Sequence, residues 1–192
     1  ITAGLTRRPG MDRLGLLKKN AVIIGDIVKH IVEYCPDSII LMMTNPVDVL
    51  AYYAWQNSGF PENRVLGQAG VLDTARFRYF LSQETGYLKE TMVLGGHGDT
   101  MLPVLRKPLT DSIPKVKINS VIDKTRNGGG QIVSLLKTSA YYAPAAAAVS
   151  MIEAILGDTK KIMPVSARLN GEYGISDVYI GVPAVLGKNG VE

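Results

Sequence analysis

The segment best equipped for chemistry is a histidine set among glycines, Gly95-Gly96-His97-Gly98-Asp99. Imidazole titrates near neutrality, so His97 can pass a proton in either direction. The glycines leave little bulk beside the ring, and a small molecule has room to meet it. The same histidine could instead satisfy a turn. A metal site would draw on His97 and Asp99, but a metal needs three or four converging ligands. The only other histidine, His30, sits on a predicted helix with no partner at ligand spacing.

Three more segments carry groups that complete such a centre. Asp73 opens a predicted helix, where a carboxylate serves either as an N-cap or as the acid that orients an imidazole. Arg76 follows one turn later, near the same face. Its guanidinium suits either two-point recognition of a carboxylate or a surface ion pair, and Arg78 is expected at the surface. The loop Thr6–Arg13 gathers arginines around Pro9-Gly10, as either an anion clamp on a hinged lid or a solvated basic loop. Thr44-Asn45-Pro46 places an amide at a strand end, where Asn45 either touches a ligand or starts a turn.

These segments need a frame. Ile1–Ala3 reads as a strand end. Apolar residues at three- and four-residue spacing predict a helix over Leu14–Tyr34, closed by Pro36. Ser38–Met43 is a continuous apolar run, as in a parallel strand buried on both faces. A helix is predicted over Val47–Ser58, a short strand at Val65–Leu66, a helix over Thr74–Thr85 and a strand over Thr91–Leu94. Val121–Thr138 has helical periodicity, though Gly128-Gly129-Gly130 argues against an unbroken helix. An alanine-rich helix from about Pro144 to Leu156 precedes strands at Ile162–Ala167, Tyr179–Val182 and Val185–Leu186. The fold class is therefore α/β: the second half of a Rossmann-type doubly wound parallel sheet, followed by an α+β domain. The division falls at 1–70 and 71–192. In such sheets ligands sit at the carboxyl ends of the strands, where Thr6–Arg13 and Thr44–Asn45 fall.

Composition narrows the function classes. The 192 residues are 46% hydrophobic and 20% charged, ordinary values for a folded domain. A net charge of +4, without a dense basic stripe, argues against nucleic acid and fits a small acidic substrate. No apolar run approaches the roughly 18 residues needed to cross a membrane. The single cysteine, Cys35, cannot form an internal disulfide, so a cytoplasmic setting is expected, with Cys35 as a buried apolar residue.

Taken together, the segments resemble the lactate/malate dehydrogenase family, specifically its malate-type members. The resemblance runs through residues 1–13, Thr-Asn-Pro-Val-Asp (44–48), Gly-Val-Leu-Asp-Thr-Ala-Arg-Phe-Arg (70–78) and Gly-Gly-His-Gly-Asp (95–99). It continues in Tyr-Tyr-Ala-Pro-Ala (141–145), Gly-Glu-Tyr-Gly-Ile (171–175) and residues 181–192. No single motif is decisive, but their shared order is highly specific.

The resemblance implies an NAD-dependent oxidoreductase interconverting malate and oxaloacetate. His97 would be the general acid/base and Asp73 its orienting acid. Arg76 would bind the C1 carboxylate, Arg13 would polarise the carbonyl oxygen, and Asn45 would bridge cofactor and substrate. Asn20, Met43, Thr44 and Asn45 would contact NAD. Arg7 would meet the second carboxylate of a dicarboxylate. A buried cation beside lactate's methyl would be left unpaired, which favours malate over lactate or another 2-hydroxy acid. The family also implies a homodimer or homotetramer. A non-catalytic module on the same fold is disfavoured by the joint presence of His97, Asp73, Arg76 and Arg13. The family's glycine-rich fingerprint would precede Ile1 and its C-terminal helix would follow Glu192. Spacings near 86–91 and 108–119 are shorter than the family pattern, which implies omitted residues there.

Overall fold

The computed structural model describes residues 1–6, 13–86, 91–105 and 113–192, without the side chain of Arg13. Arg7, residues 87–90 of the first short-spacing region and residues 108–112 of the second lie outside the described residues. Helix α1 (Arg13–Tyr34) leads to strand β1 (Ile40–Met42), helix α2 (Val47–Ser58) and strand β2 (Val65–Gly67). Helix α3 (Gly70–Thr85), strands β3 (Thr91–Gly95) and β4 (Met101–Leu105), and helix α4 (Lys115–Leu136) follow. Helix α5 (Tyr142–Leu156) precedes strands β5 (Lys161–Asn170), β6 (Ser176–Gly187) and β7 (Gly190–Val191).

The strands form one seven-stranded sheet in the order β1-β2-β5-β6-β3-β4, with β7 on β6. Among the described residues only β1 and β2 run parallel; every other pair is antiparallel. The α/β half and the α+β half thus share a sheet, joined where Gly67 pairs with Ser166. The sequence does not disclose this joint, because a one-residue ladder leaves no periodicity to read. Ile1 lies beside β1 and its carbonyl accepts from the Met43 amide at 2.9 Å.

Three apolar clusters hold the layers together. Ile24 and Val28 of α1 and Leu50, Ala51 and Ala54 of α2 pack with Ile40, Met42 and Val65 of the parallel pair. Met151 and Ala154 of α5 cover Met163, Val165 and Leu186 of the antiparallel part. Phe77 and Leu81 of α3 meet Val93 of β3, Met101 of β4 and Val121 of α4. Burying each such side chain is worth about 1.5–3 kcal/mol. The third cluster fixes α3 against β3, the two elements that present Asp73 and His97.

Several local expectations are corrected. Helix α4 runs unbroken through its three glycines and starts six residues earlier than predicted. Gly128 is buried where a Cβ would lie 3.8 Å from Arg76 Cδ and from Phe80. Packing against α3 offsets the helix penalty of about 1 kcal/mol per glycine. The predicted strand fragments at 179–182 and 185–186 are one strand, β6, passing through Pro183. Strand β4 was not anticipated; it makes residues 96–100 the loop of a β-hairpin. Cys35 is exposed, because α1 ends at Tyr34 and the chain turns outward there. Arg78 is half-buried, with Nη2 donating to the Thr91 carbonyl at 2.8 Å, not free at the surface.

Candidate active site

The His97 loop closes the β3–β4 hairpin, and glycine is required on both sides of the histidine. Gly95 has φ +80° and Gly98 has φ +101°, backbone conformations costly for residues with a Cβ. A Cβ on Gly95 would also lie 2.7 Å from the Thr100 carbonyl. The tight loop places His97 over the first turn of α3.

There its Nδ1 lies 2.7 Å from Asp73 Oδ2. Asp73 is 2% exposed, whereas the His97 side chain retains 23% exposure. The other Asp73 oxygen, Oδ1, accepts from Arg76 Nη1 at 3.5 Å. Of the two roles open to Asp73, the N-cap is not the one it takes. It is the fourth residue of α3, its amide bonds to the Ala69 carbonyl, and its carboxylate is directed to the histidine and the arginine.

With Nδ1 hydrogen-bonded to a carboxylate, the imidazole is held in the tautomer that carries its proton there. Nε2 is then the nitrogen left for a ligand. Burial pushes the His97 pKa down. The hydrogen bond and charge of Asp73, with the charge of Asp48, outweigh both burial and repulsion from Arg76, so the pKa is raised above the ordinary histidine value. Among the described residues the Arg76 guanidinium makes the single bond to Asp73, out of five N–H donors. Gly129 of α4 faces it, where even a Cβ would lie 3.6 Å from Nη1. The glycine run that argued against an unbroken helix therefore leaves space around this guanidinium.

The second group of sequence candidates surrounds the carboxyl end of β1. Asn20, fully buried on α1, accepts from the Leu5 amide at 2.7 Å and donates to the Asn45 carbonyl at 2.8 Å. Its amide therefore ties the 1–6 segment to the strand-end loop. Thr44 Oγ1 donates to the Ala3 carbonyl at 2.7 Å, and a Cβ on Gly4 would lie 2.4 Å from Thr44 Cγ2. Asn45 is exposed, with a cis bond to Pro46, and Met43 is half-buried. The side chains of Arg7 and Arg13 lie outside the described residues.

Three residues not singled out from the sequence belong to this region. Asp48, in the first turn of α2, accepts from the His97 amide at 3.2 Å and from Ser166 Oγ at 2.6 Å. An acid in a helix's first turn ordinarily needs no further explanation than the helix dipole, which masks its reach across the sheet. Gln68, at the carboxyl end of β2, is 5% exposed and its Nε2 has no hydrogen-bond partner among the described residues. Its backbone N–H donates to the Met42 carbonyl, so it sits beside the Met43–Asn45 strand end. An unused donor at the end of two parallel strands suits a ligand acceptor such as a carboxamide oxygen. Among the described residues no cluster of three His, Cys, Asp or Glu side chains could hold a metal ion.

The family model for the lactate/malate dehydrogenase NAD binding domain matches residues 1–67, and that for the alpha/beta C-terminal domain matches residues 70–192. The chain belongs to the lactate/malate dehydrogenase family. The malate dehydrogenase of Cytophaga hutchinsonii is 51% identical over 201 residues, covering 100% of this chain and 64% of the relative. The solved malate dehydrogenase of Archaeoglobus fulgidus in complex with NADH superposes with a TM-score of 0.91 at 43% identity, over 100% of this chain and 64% of that one. The lactate dehydrogenase of Cryptosporidium parvum, solved with lactic acid and nicotinamide adenine dinucleotide, gives 0.93 at 40% identity, over 100% and 65%. The chain thus spans less than two thirds of the length of the family members it matches. The fold alone does not separate the malate and lactate branches, since both superpose equally well. No helix among the described residues is long and apolar enough to cross a membrane.

Proposed function

We propose that this chain carries the proton-transfer and carboxylate-binding part of an NAD-dependent malate dehydrogenase. The observation that carries the reading is the Asp73 carboxylate shared between His97 Nδ1 at 2.7 Å and Arg76 Nη1 at 3.5 Å. It joins a proton carrier to a carboxylate receptor. A 2-hydroxy acid needs both within one small site.

In malate oxidation the C2 hydroxyl proton passes to His97 Nε2. Asp73 stabilises the imidazolium that forms and keeps the ring in place without taking the proton itself. Arg76 holds the C1 carboxylate, which fixes C2 relative to the imidazole. When bound, the nicotinamide supplies the acceptor for the hydride leaving C2. Thr44, Met43, Asn45 and Gln68 frame the strand ends where it would be held. Asn20 supports that frame through Asn45. Arg13 would polarise the carbonyl oxygen as charge develops, and Arg7 would pair with the second carboxylate. In the reverse direction His97 enters protonated and delivers its proton to the carbonyl oxygen of oxaloacetate. The lone cysteine suits a cytoplasmic enzyme, and assembly as a homodimer or homotetramer follows the family.

The second reading is a lactate dehydrogenase, favoured only by the equal structural match. Arg7 decides against it on charge: a cation facing a methyl group gains nothing and loses its hydration. The test is the full-length protein with NADH and either oxaloacetate or pyruvate. Oxaloacetate is expected to be reduced at least a hundredfold more efficiently, on the scale of a lost buried charge pair. Replacing Arg7→Gln should narrow that ratio by at least tenfold, mostly through oxaloacetate. A native preference for pyruvate, or a ratio unmoved by the substitution, would overturn the substrate assignment.

A further inference from the structure

We infer that Asp48 is a positioning residue for His97, stapling the catalytic hairpin loop to helix α2 and strand β5. Asp48 does not touch the imidazole. One carboxylate oxygen accepts the His97 backbone amide at 3.2 Å, and the other accepts Ser166 Oγ at 2.6 Å. Both oxygens act as acceptors, the arrangement of an ionised carboxylate. The three partners come from separate elements: the loop after β3, the first turn of α2, and the middle of β5. Ser166 is fully buried and sits at the single pair that joins β5 to β2.

This geometry does two things. It anchors the loop at the backbone of His97 itself, while Asp73 anchors the ring from α3. The imidazole is thereby held at both ends from opposite directions. It also ties the loop to the helix that begins directly after Asn45-Pro46. The strand end proposed to meet the cofactor and the loop that carries the proton therefore share one rigid connection. A glycine beside the histidine fits the tight loop: a Cβ on Gly96 would lie 2.4 Å from Thr100 Oγ1, though at ordinary contact distance, 3.7 Å, from Asp48 Oδ2.

The charges acting on His97 among the described residues are Asp73 and Arg76 from α3 and Asp48 from α2. Removing the Asp48 charge should lower the His97 pKa, because one of the two anions favouring the imidazolium is lost. Burial raises the Asp48 pKa, and the Asp73 charge adds to this; the bonds from Ser166 and His97, and the His97 charge, work the other way.

The inference rests on the malate dehydrogenase reading only for its consequence in turnover, so its main test needs no turnover. The chain has two histidines, and His30 on α1 is exposed and remote in sequence from the site. Nuclear magnetic resonance of labelled histidine therefore carries its own control. In Asp48→Asn the amide can still accept from His97 and donate to Ser166, so shape is kept and charge is lost. The His97 titration midpoint should fall, the His30 midpoint should stay, and exchange of the His97 amide hydrogen should remain within about threefold of native. In Asp48→Ala the amide loses its acceptor, and its exchange should quicken by about tenfold or more. Ser166→Ala frees one side of the carboxylate but keeps its charge, and should quicken exchange of the His97 amide by a smaller factor without lowering the midpoint, which keeps the test readable if the alanine variant does not fold. In the full-length enzyme Asp48→Asn should lower kcat about tenfold with KM little changed, because the residue does not touch substrate. Unchanged His97 exchange and midpoint in folded Asp48 variants would overturn the inference, as would equal shifts of both histidines. A native protein without oxaloacetate activity would overturn the proposed function but leave the exchange and titration results decisive for Asp48.

Discussion

Replacing His97→Asn in the full-length protein is expected to lower kcat for oxaloacetate reduction about a thousandfold or more. General acid catalysis by a positioned side chain supplies about 10²–10⁴ in rate, and no other described residue is placed to replace this one. Asparagine keeps a polar side chain of similar reach that can still donate to Asp73. It cannot carry a proton to the carbonyl oxygen. The His97 side chain is 23% exposed on a hairpin loop, so the fold should survive, and unchanged circular dichroism would verify that. Substrate binding should weaken far less than turnover. A variant retaining more than a tenth of native kcat would remove His97 from the reaction.

The second large effect is expected at Arg76. Arg76→Ala should lower kcat/KM for oxaloacetate roughly a hundredfold, about 3 kcal/mol, the cost of deleting one partner of a buried charge pair. The loss should divide between KM and kcat, because the guanidinium both binds the carboxylate and sets the distance from C2 to the imidazole. Lysine should restore only part of it, since an ammonium lacks the two parallel N–H donors. A second consequence has a definite sign. Arg76 repels the imidazolium, so its removal should raise the His97 pKa further. Steady-state kinetics with each variant will separate these effects; an Arg76→Ala enzyme with native KM and kcat would place the carboxylate elsewhere.

Much of the site was legible in residue types. His97 between glycines, Asp73 and Arg76 one turn apart, and a polar strand end at Thr44–Asn45 were each visible, along with the helices and buried strands that carry them. What stayed hidden were relationships that leave no periodic trace. Asp48 was not singled out, since an acid in the first turn of a helix is ordinary, and only the fold reveals that its carboxylate reaches His97 and Ser166. Ser166 looked like any small residue in a strand, yet it marks the joint between the two halves of the sheet. The glycines of α4 argued against an unbroken helix on propensity, but packing against Phe80 and Arg76 decided the outcome. Position before a helical run left Asp73 either an N-cap or the acid that orients His97; α3 starts three residues before it, at Gly70, and its carboxylate goes to the histidine. In each case a local rule gave way to a tertiary contact between distant residues.

The pairing of Asp73 with His97 is the claim on which the rest depends, and its most direct test is the pH profile of kcat/KM for oxaloacetate reduction. This constant reports groups on the free enzyme, and the reaction needs His97 protonated. The native rate should therefore fall as pH rises through the His97 pKa, at a midpoint above the ordinary value of about 6.5. Asp73→Asn removes the charge and leaves at most a weaker, neutral hydrogen bond to the imidazolium, so the midpoint should move to lower pH. A midpoint that stays in place, or rises, in the Asp73→Asn enzyme would contradict the account.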